Sequence, residues 1–223
     1  MTTVTIDSLR TRVRERCDMV GSSFVVDNTT GVDAFINEAN QKLHALLVDA
    51  FGEEYVSSVS TFTTAASTND YAVPSGFYKL YGVEIARGGK QYSIPRFTRA
   101  ERNAYRNSNV AANVLNHELR YSLIGSNIRI YPTPPAGLTG SILYAPEATT
   151  LTTGSSVSYP NGWERFIVID AAIQILMKEE SSVTGLQAER KEILDAIKLE
   201  KEQRDLAESY HVVDVFNDED GLW

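Results

Sequence analysis

The chain has 223 residues, 43% of them hydrophobic and 22% charged, with a formal net charge of −8. These values describe an ordinary globular protein of about one and a half domains and exclude a collagen-like fibre, a wholly disordered chain and a disulfide scaffold. The acidic balance argues against a surface that grips phosphates everywhere, which needs clustered Lys and Arg, but it leaves room for a local basic patch.

Cys17 is the only cysteine. No intrachain disulfide and no cysteine-built metal site is expected, which suits a reducing cytosol. No apolar run approaches the roughly 20 residues of a membrane-spanning helix. The start, Met1-Thr2-Thr3-Val4, lacks the basic and apolar regions of a signal peptide. No membrane role is expected.

In chain order, Ile6, Leu9, Val13, Cys17 and Val20 recur at steps of three and four and predict a first helix ending at Gly21. Arg10, Arg12, Arg14 and Arg16 fall on its outer side, and Cys17 reads as a small buried hydrophobe. A second helix is predicted from Thr30, with Asp33 as a weak capping box, to Gly52. Its stripe is Val32, Phe35, Ile36, Ala39, Leu43, Leu46, Leu47 and Ala50.

From Tyr55 the composition turns to strand and loop. Val56, Val59 and Phe62 lie among Ser and Thr, and a short extended segment precedes Pro74. Residues 78–86 and 90–94 predict a hairpin about Gly88-Gly89, and 119–124 and 127–131 a second about Gly125-Ser126. In the latter Ile128 and Ile130 face one side, and Asn127, Arg129 and Tyr131 the other. A short strand is expected at 141–144. Between the hairpins, residues 98–105 predict a short helix capped by Thr98 with Glu101 three residues on. Residues 107–116, with four asparagines, predict an exposed loop, and 149–158 a Thr/Ser/Gly-rich linker.

Helical spacing then returns in Trp163, Phe166, Ile167, Asp170, Ile173, Leu176 and Met177. Gly185 separates these from a last helix with Leu186, Ile193, Ile197 and Leu206 inside and alternating charges outside. The organisation expected is an α+β chain: a four-helix bundle with a β-rich insertion domain between helices two and three and an extended C-terminal tail. The bounds are 1–52 and 159–210 for the two halves of the bundle, 53–158 for the insertion and 211–223 for the tail.

The signatures of common chemistries do not occur. His44, His117 and His211 have no metal-ligand spacing, and there is no nucleophile elbow, P-loop or dinucleotide-binding glycine motif. Glu53-Glu54 and Glu179-Glu180 are sequence neighbours, which point in different directions and make poor acid–base pairs. The expectation is a protein that is not an enzyme, with no catalytic residues, cofactor or metal. A hydrolase with dispersed carboxylates is the reading this leaves least support for.

Two features stand out. Arg87, Lys90, Arg96, Arg99, Arg102 and Arg106 face only Glu101 within residues 87–106. With little aromatic interleaving beyond Phe97 and Tyr105, this segment reads first as a ring or tail interface (Arg87, Arg96, Arg99, Arg102, Arg106). Its alternative is a nucleic-acid-binding module. The tail carries Val213, Val215, Phe216, Leu222 and Trp223 around Asp218, Glu219 and Asp220. Exposed aromatics at a chain end suit docking on a partner.

Several stretches together resemble the head-to-tail adaptor (connector) proteins of tailed bacteriophages. They are Leu9-Arg10-Thr11-Arg12-Val13-Arg14-Glu15-Arg16, Phe24-Val25-Val26-Asp27 leading to Phe35-Ile36-Asn37, and Tyr71-Ala72-Val73-Pro74-Ser75-Gly76-Phe77-Tyr78-Lys79-Leu80. Further on they are Ile128-Arg129-Ile130-Tyr131-Pro132, Gly162-Trp163-Glu164-Arg165-Phe166, Lys178-Glu179-Glu180-Ser181 and Val212-Val213-Asp214-Val215. The resemblance implies a structural virion protein in a homo-oligomeric ring, usually of twelve copies, at the neck between head and tail. It implies host cytoplasm as the place of assembly. The C-terminal residues Val213, Val215, Phe216, Leu222 and Trp223 would reach the portal protein, the β-rich part would face a tail or nozzle protein, and DNA would pass without sequence-specific binding.

Overall fold

The computed structural model describes residues 2–20, 31–103 and 119–203. Among the described residues there are four helices and three antiparallel sheets, organised about two apolar cores.

The helices are α1 (Ile6–Arg16), α2 (Val32–Phe51), α3 (Glu164–Lys178) and α4 (Thr184–Gln203). Thr5 caps α1 by accepting a bond from the Ser8 amide at 3.3 Å, and Ile6, Leu9 and Val13 are buried as their spacing predicts. The helix ends a turn early. Asp18 takes a left-handed φ of 55°, so Met19 turns inward and Val20 is 75% exposed. Cys17 is buried, its sulfur 3.7 Å from the Ala172 carbonyl. Desolvation, first of all, pushes its thiol up to about 11, so it is an uncharged packing group at neutral pH.

Helix α2 ends at Gly52, whose φ of 54° supplies the reversal that glycine adopts without strain. At α4 the break lies before the expected one: Glu180, at φ 57°, turns the chain, and Gly185 lies inside the first turn of α4.

The expected four-helix bundle with a β-rich insertion is not what forms. Helix α3 packs against each of the other three, and from Phe166 to Ile173 every residue on it is buried. A bundle corner needs a polar outer stripe; α3 has almost none, so it is a central helix with the others laid around it. The helical core also contains strands. β1 (Thr2–Thr5) pairs antiparallel with β9 (Ser156–Tyr159), and Val4 and Tyr159 join the same core. The class is mixed α+β.

The remaining strands form the second core. β2 (Ser58–Thr63), β8 (Thr139–Pro146), β4 (Phe77–Arg87) and β5 (Lys90–Ser93) make one sheet in that order. β3 (Asp70–Ala72), β7 (Asn127–Tyr131) and β6 (Arg120–Ile124) make the other. Val83, Ile85 and Ile142 of the first pack with Tyr71, Tyr121, Ile128 and Ile130 of the second. Both predicted hairpins form, and Gly88 and Gly89 take φ 57° and 76° as a tight turn between twisted strands requires. Gly140 is fixed by packing: a Cβ there would lie 2.1 Å from the ring of Phe62, its cross-strand partner.

A polar stripe on α2 joins the two cores. Asp33, Asn37, Asn40 and His44 lie three or four residues apart on one face. Asn37 accepts from the Leu151 amide at 2.7 Å and donates to the Leu151 carbonyl at 3.0 Å. Asn40 donates to the Thr149 carbonyl at 2.9 Å and accepts from the Tyr159 hydroxyl at 2.6 Å. His44 Nε2 lies 2.8 Å from the Pro146 carbonyl, which fixes Nε2 as the protonated nitrogen and leaves Nδ1 to accept from Tyr55 at 3.2 Å. The stretch expected to be a linker is therefore pinned along a helix, and its end is strand β9. Burial lowers the pKa of His44, against the raising effect of its bond to the Pro146 carbonyl.

Candidate functional site

The charged groups of the helical layer neutralise one another. Arg10 makes a two-pronged contact with Asp33, both arms 2.7 Å, and reaches Asp7 at 2.6 Å. Its proton is held more tightly than usual, chiefly through the hydrogen bond to Asp33. Asp170, on the buried stripe of α3, receives Arg190 at 2.8 Å, Lys42 at 3.1 Å and Gln174 at 2.9 Å. Burial works to raise the Asp170 pKa, but the hydrogen bonds from Arg190, Lys42 and Gln174 outweigh it and the carboxyl sits below its ordinary range. Glu189 receives both Arg16 at 3.2 Å and Arg165 at 2.9 Å.

The sheet body differs. After β5 the chain crosses from one sheet to the other: the Phe97 amide donates to the Tyr121 carbonyl at 2.8 Å, and the Tyr121 amide donates to the Pro95 carbonyl at 3.0 Å. Phe97 is buried and stacks at a tilt on Tyr131, with centroids 5.7 Å apart. Anchored there, the chain turns at the expected cap. The Glu101 carboxylate accepts from the Thr98 amide at 2.7 Å and from its hydroxyl at 2.9 Å. The backbone bond first, then the hydroxyl, lowers the Glu101 pKa. Glu101, the one acid of the basic segment, is thus occupied by the cap.

This path places Arg96, Arg99 and Arg102 around a cleft of about 820 Å³, walled on the other side by Leu123, Ile124 and Arg129. Arg129 is neutralised by Asp70, two bonds of 2.6 Å each. Those bonds raise the Arg129 pKa and lower that of Asp70. Among the described residues Arg96, Arg99 and Arg102 have no acidic partner. Ile124, 40% exposed, adds an apolar edge. The arrangement suits a polyanionic ligand that also carries apolar groups; guanidinium groups bind carboxylates in paired hydrogen bonds, and Ile124 and Leu123 give such a ligand a surface to desolvate.

Of the residues singled out in the basic segment, Arg96, Arg99 and Arg102 come together. Arg87 sits opposite Lys90 at the hairpin turn, engages a partner of its own and does not line the cleft. Arg106 lies outside the described residues, as do Val213, Val215, Phe216, Leu222 and Trp223 of the tail, and His117 and His211. Arg129 was not singled out from the sequence; the signal was its place on the face of the hairpin opposite Ile128 and Ile130.

Among the described residues no group of three or more His, Cys, Asp or Glu is placed to hold a metal ion. No helix among them is long and apolar enough to cross a membrane. A search of curated proteins gives no match to the chain. A model of the SU10 adaptor protein family matches residues 4–214. The chain therefore belongs to that family of phage head-tail adaptors and is a structural component of the virion that associates with other virion parts.

Proposed function

We propose that this adaptor forms a ring, of twelve copies, at the neck of the virion between the portal of the head and the tail or nozzle, assembled from subunits in the host cytoplasm. The role is structural and not enzymatic. In this reading Arg96, Arg99 and Arg102, with Arg87 and Arg106, supply the contact to the neighbouring copy or tail component. Val213, Val215, Phe216, Leu222 and Trp223 dock on the portal. The observation that carries the reading, beyond family membership, is the cleft whose three arginines have no acidic partner among the described residues. Charges on a partner surface are the simplest counterpart for such a set.

The net charge of −8 suits a conduit through which DNA passes, because a lumen that held phosphates tightly would obstruct movement. A strongly basic lumen in the assembled ring would count against that part. The test is electron microscopy of the protein mixed with its portal, alongside a chain lacking 212–223. The proposal expects a ring on the portal with the full chain and none with the shortened chain, whose melting temperature stays the same. A ring with both chains would refute the docking role.

The same arginines support a second reading, a nucleic-acid-binding surface. It requires duplex binding that weakens steeply with salt and is lost when Arg96, Arg99 and Arg102 are replaced.

A further inference from the structure

We propose that the arginine cleft is occupied, in the unassembled protein, by the acidic C-terminal segment of the same chain, so that the segment shields the ring contact until the portal takes it. This rests on the reading above, in which the cleft meets a neighbour and the segment meets the portal.

Charge complementarity is the first argument. The cleft presents Arg96, Arg99 and Arg102 without acidic partners among the described residues. The 15 residues that follow Asn103 add Arg106 and a single acid, Glu118. Beyond Arg204 the chain contains no Lys or Arg and six acids, Asp205, Glu208, Asp214, Asp218, Glu219 and Asp220. No other stretch is so one-signed.

The second argument is chemical mixture. A nucleic-acid backbone offers phosphates but nothing for Leu123 and the exposed Ile124 to cover. The acids of the segment are interleaved with Val215, Phe216, Leu222 and Trp223, so it brings carboxylates for the guanidinium groups and side chains for the apolar edge.

The third is reach. From Gln203, where α4 ends, to Asp218 is a span of at most about 50 Å at ~3.4 Å per residue. A compact chain of this size is about 45 Å across, so the acids can arrive at the cleft of their own chain. Tethering at that length gives an effective concentration on the order of millimolar. In dilute solution the chain's own segment therefore outcompetes that of another copy. The consequence is coupling: while the segment fills the cleft, the affinity of one copy for the next falls by the fraction of time the cleft is open. Capture of the segment by the portal then opens the cleft where rings are needed.

The test uses the full chain with Gly221→Cys, labelled with a maleimide dye; Cys17 is buried and shielded from the dye, and the parent chain treated alike is the control. Dye anisotropy should be high, independent of protein concentration, and reduced by 1 M salt. Arg96→Glu with Arg99→Glu and Arg102→Glu should lower it to the value of a free segment, and adding Asp218→Lys, Glu219→Lys and Asp220→Lys to the same chain should restore it. The restoration guards against a merely misfolded variant. Without portal, Asp218→Asn with Glu219→Gln and Asp220→Asn should oligomerise at roughly tenfold lower concentration if the segment fills the cleft nine-tenths of the time. Equal anisotropy in the parent and arginine-reversed chains, or no restoration, overturns the proposal; so does anisotropy that falls on dilution. Portal binding is read separately. A parent chain that shows the contact but binds no portal sinks the adaptor reading alone, and a chain that binds portal without the contact sinks this one alone.

Discussion

The helical layer and the sheet body handle arginine in opposite ways. Around α3, three groups of cations meet carboxylates: Arg10 meets Asp33, Lys42 and Arg190 meet Asp170, and Arg16 and Arg165 meet Glu189. In the sheet body Arg129 is matched by Asp70 and Arg87 engages a partner of its own, while Arg96, Arg99 and Arg102, with no acidic partner among the described residues, line an open cleft. Charges that hold helices together must be neutralised within the chain, because an unpaired charge near a core costs more than the pair contributes. Charges left open at the surface cost the fold little and remain available to a partner. The first set reports on stability and the second on assembly.

The largest effect should come from Asp170. Asp170→Ala leaves Lys42 and Arg190 aimed at a buried apolar site. Both cations can still reach water, so the cost is about 2–4 kcal/mol, or roughly 5–15 °C in melting temperature. Scanning calorimetry measures it; a loss within the range of a surface substitution would erase the contrast. Next, Asn40→Ala strands the Thr149 carbonyl and the buried Tyr159 hydroxyl and should cost about 2–3 kcal/mol in urea unfolding. Gly140→Ala forces the Phe62 ring aside and should cost about 1–3 kcal/mol, a purely steric loss that leaves the arginine cleft working.

Acid should separate the two regions as well. The folded Asp170 carboxyl has a pKa below its unfolded value of about 3.9, so its contribution is full above that value and is lost as pH falls through the lower folded one. The melting temperature of the parent should therefore drop more steeply than that of Asp170→Asn as pH falls below about 4. Parallel curves would remove Asp170 from the account. The smallest effect is expected at Arg99→Ala, within about 0.5 kcal/mol, because nothing described depends on it.

Much of this contrast was readable in the sequence, and the unread part has a physical cause. The glycines at 88, 89 and 125 announce the hairpins because backbone geometry is local. The Thr98 and Glu101 cap is likewise a contact three residues long. Asp170 fell on an apolar stripe, which is where a buried charge would appear. By contrast, residue type alone does not mark Asp33, Asn37, Asn40 and His44 as a joined stripe, since their partners at Arg10 and in residues 146–159 are far away in the chain. Strands β1 and β9, four residues each, are too short to show alternation, and their pairing joins Thr5 to Ser156. The four helical stripes suggested a bundle of equals; that α3 is enclosed on nearly every side depends on what surrounds it. At the cleft, the basic run was evident from residue types, but Arg129 reaches it only through the sheet-to-sheet crossing at Pro95 and Phe97.

The most direct test of the central claim is ring formation on the portal by the chain with Arg96→Ala, Arg99→Ala and Arg102→Ala, followed by electron microscopy beside its melting curve. The expected result is a melting temperature within about 2 °C of the parent, as for surface substitutions, and no ring. A normal ring from that chain would contradict it.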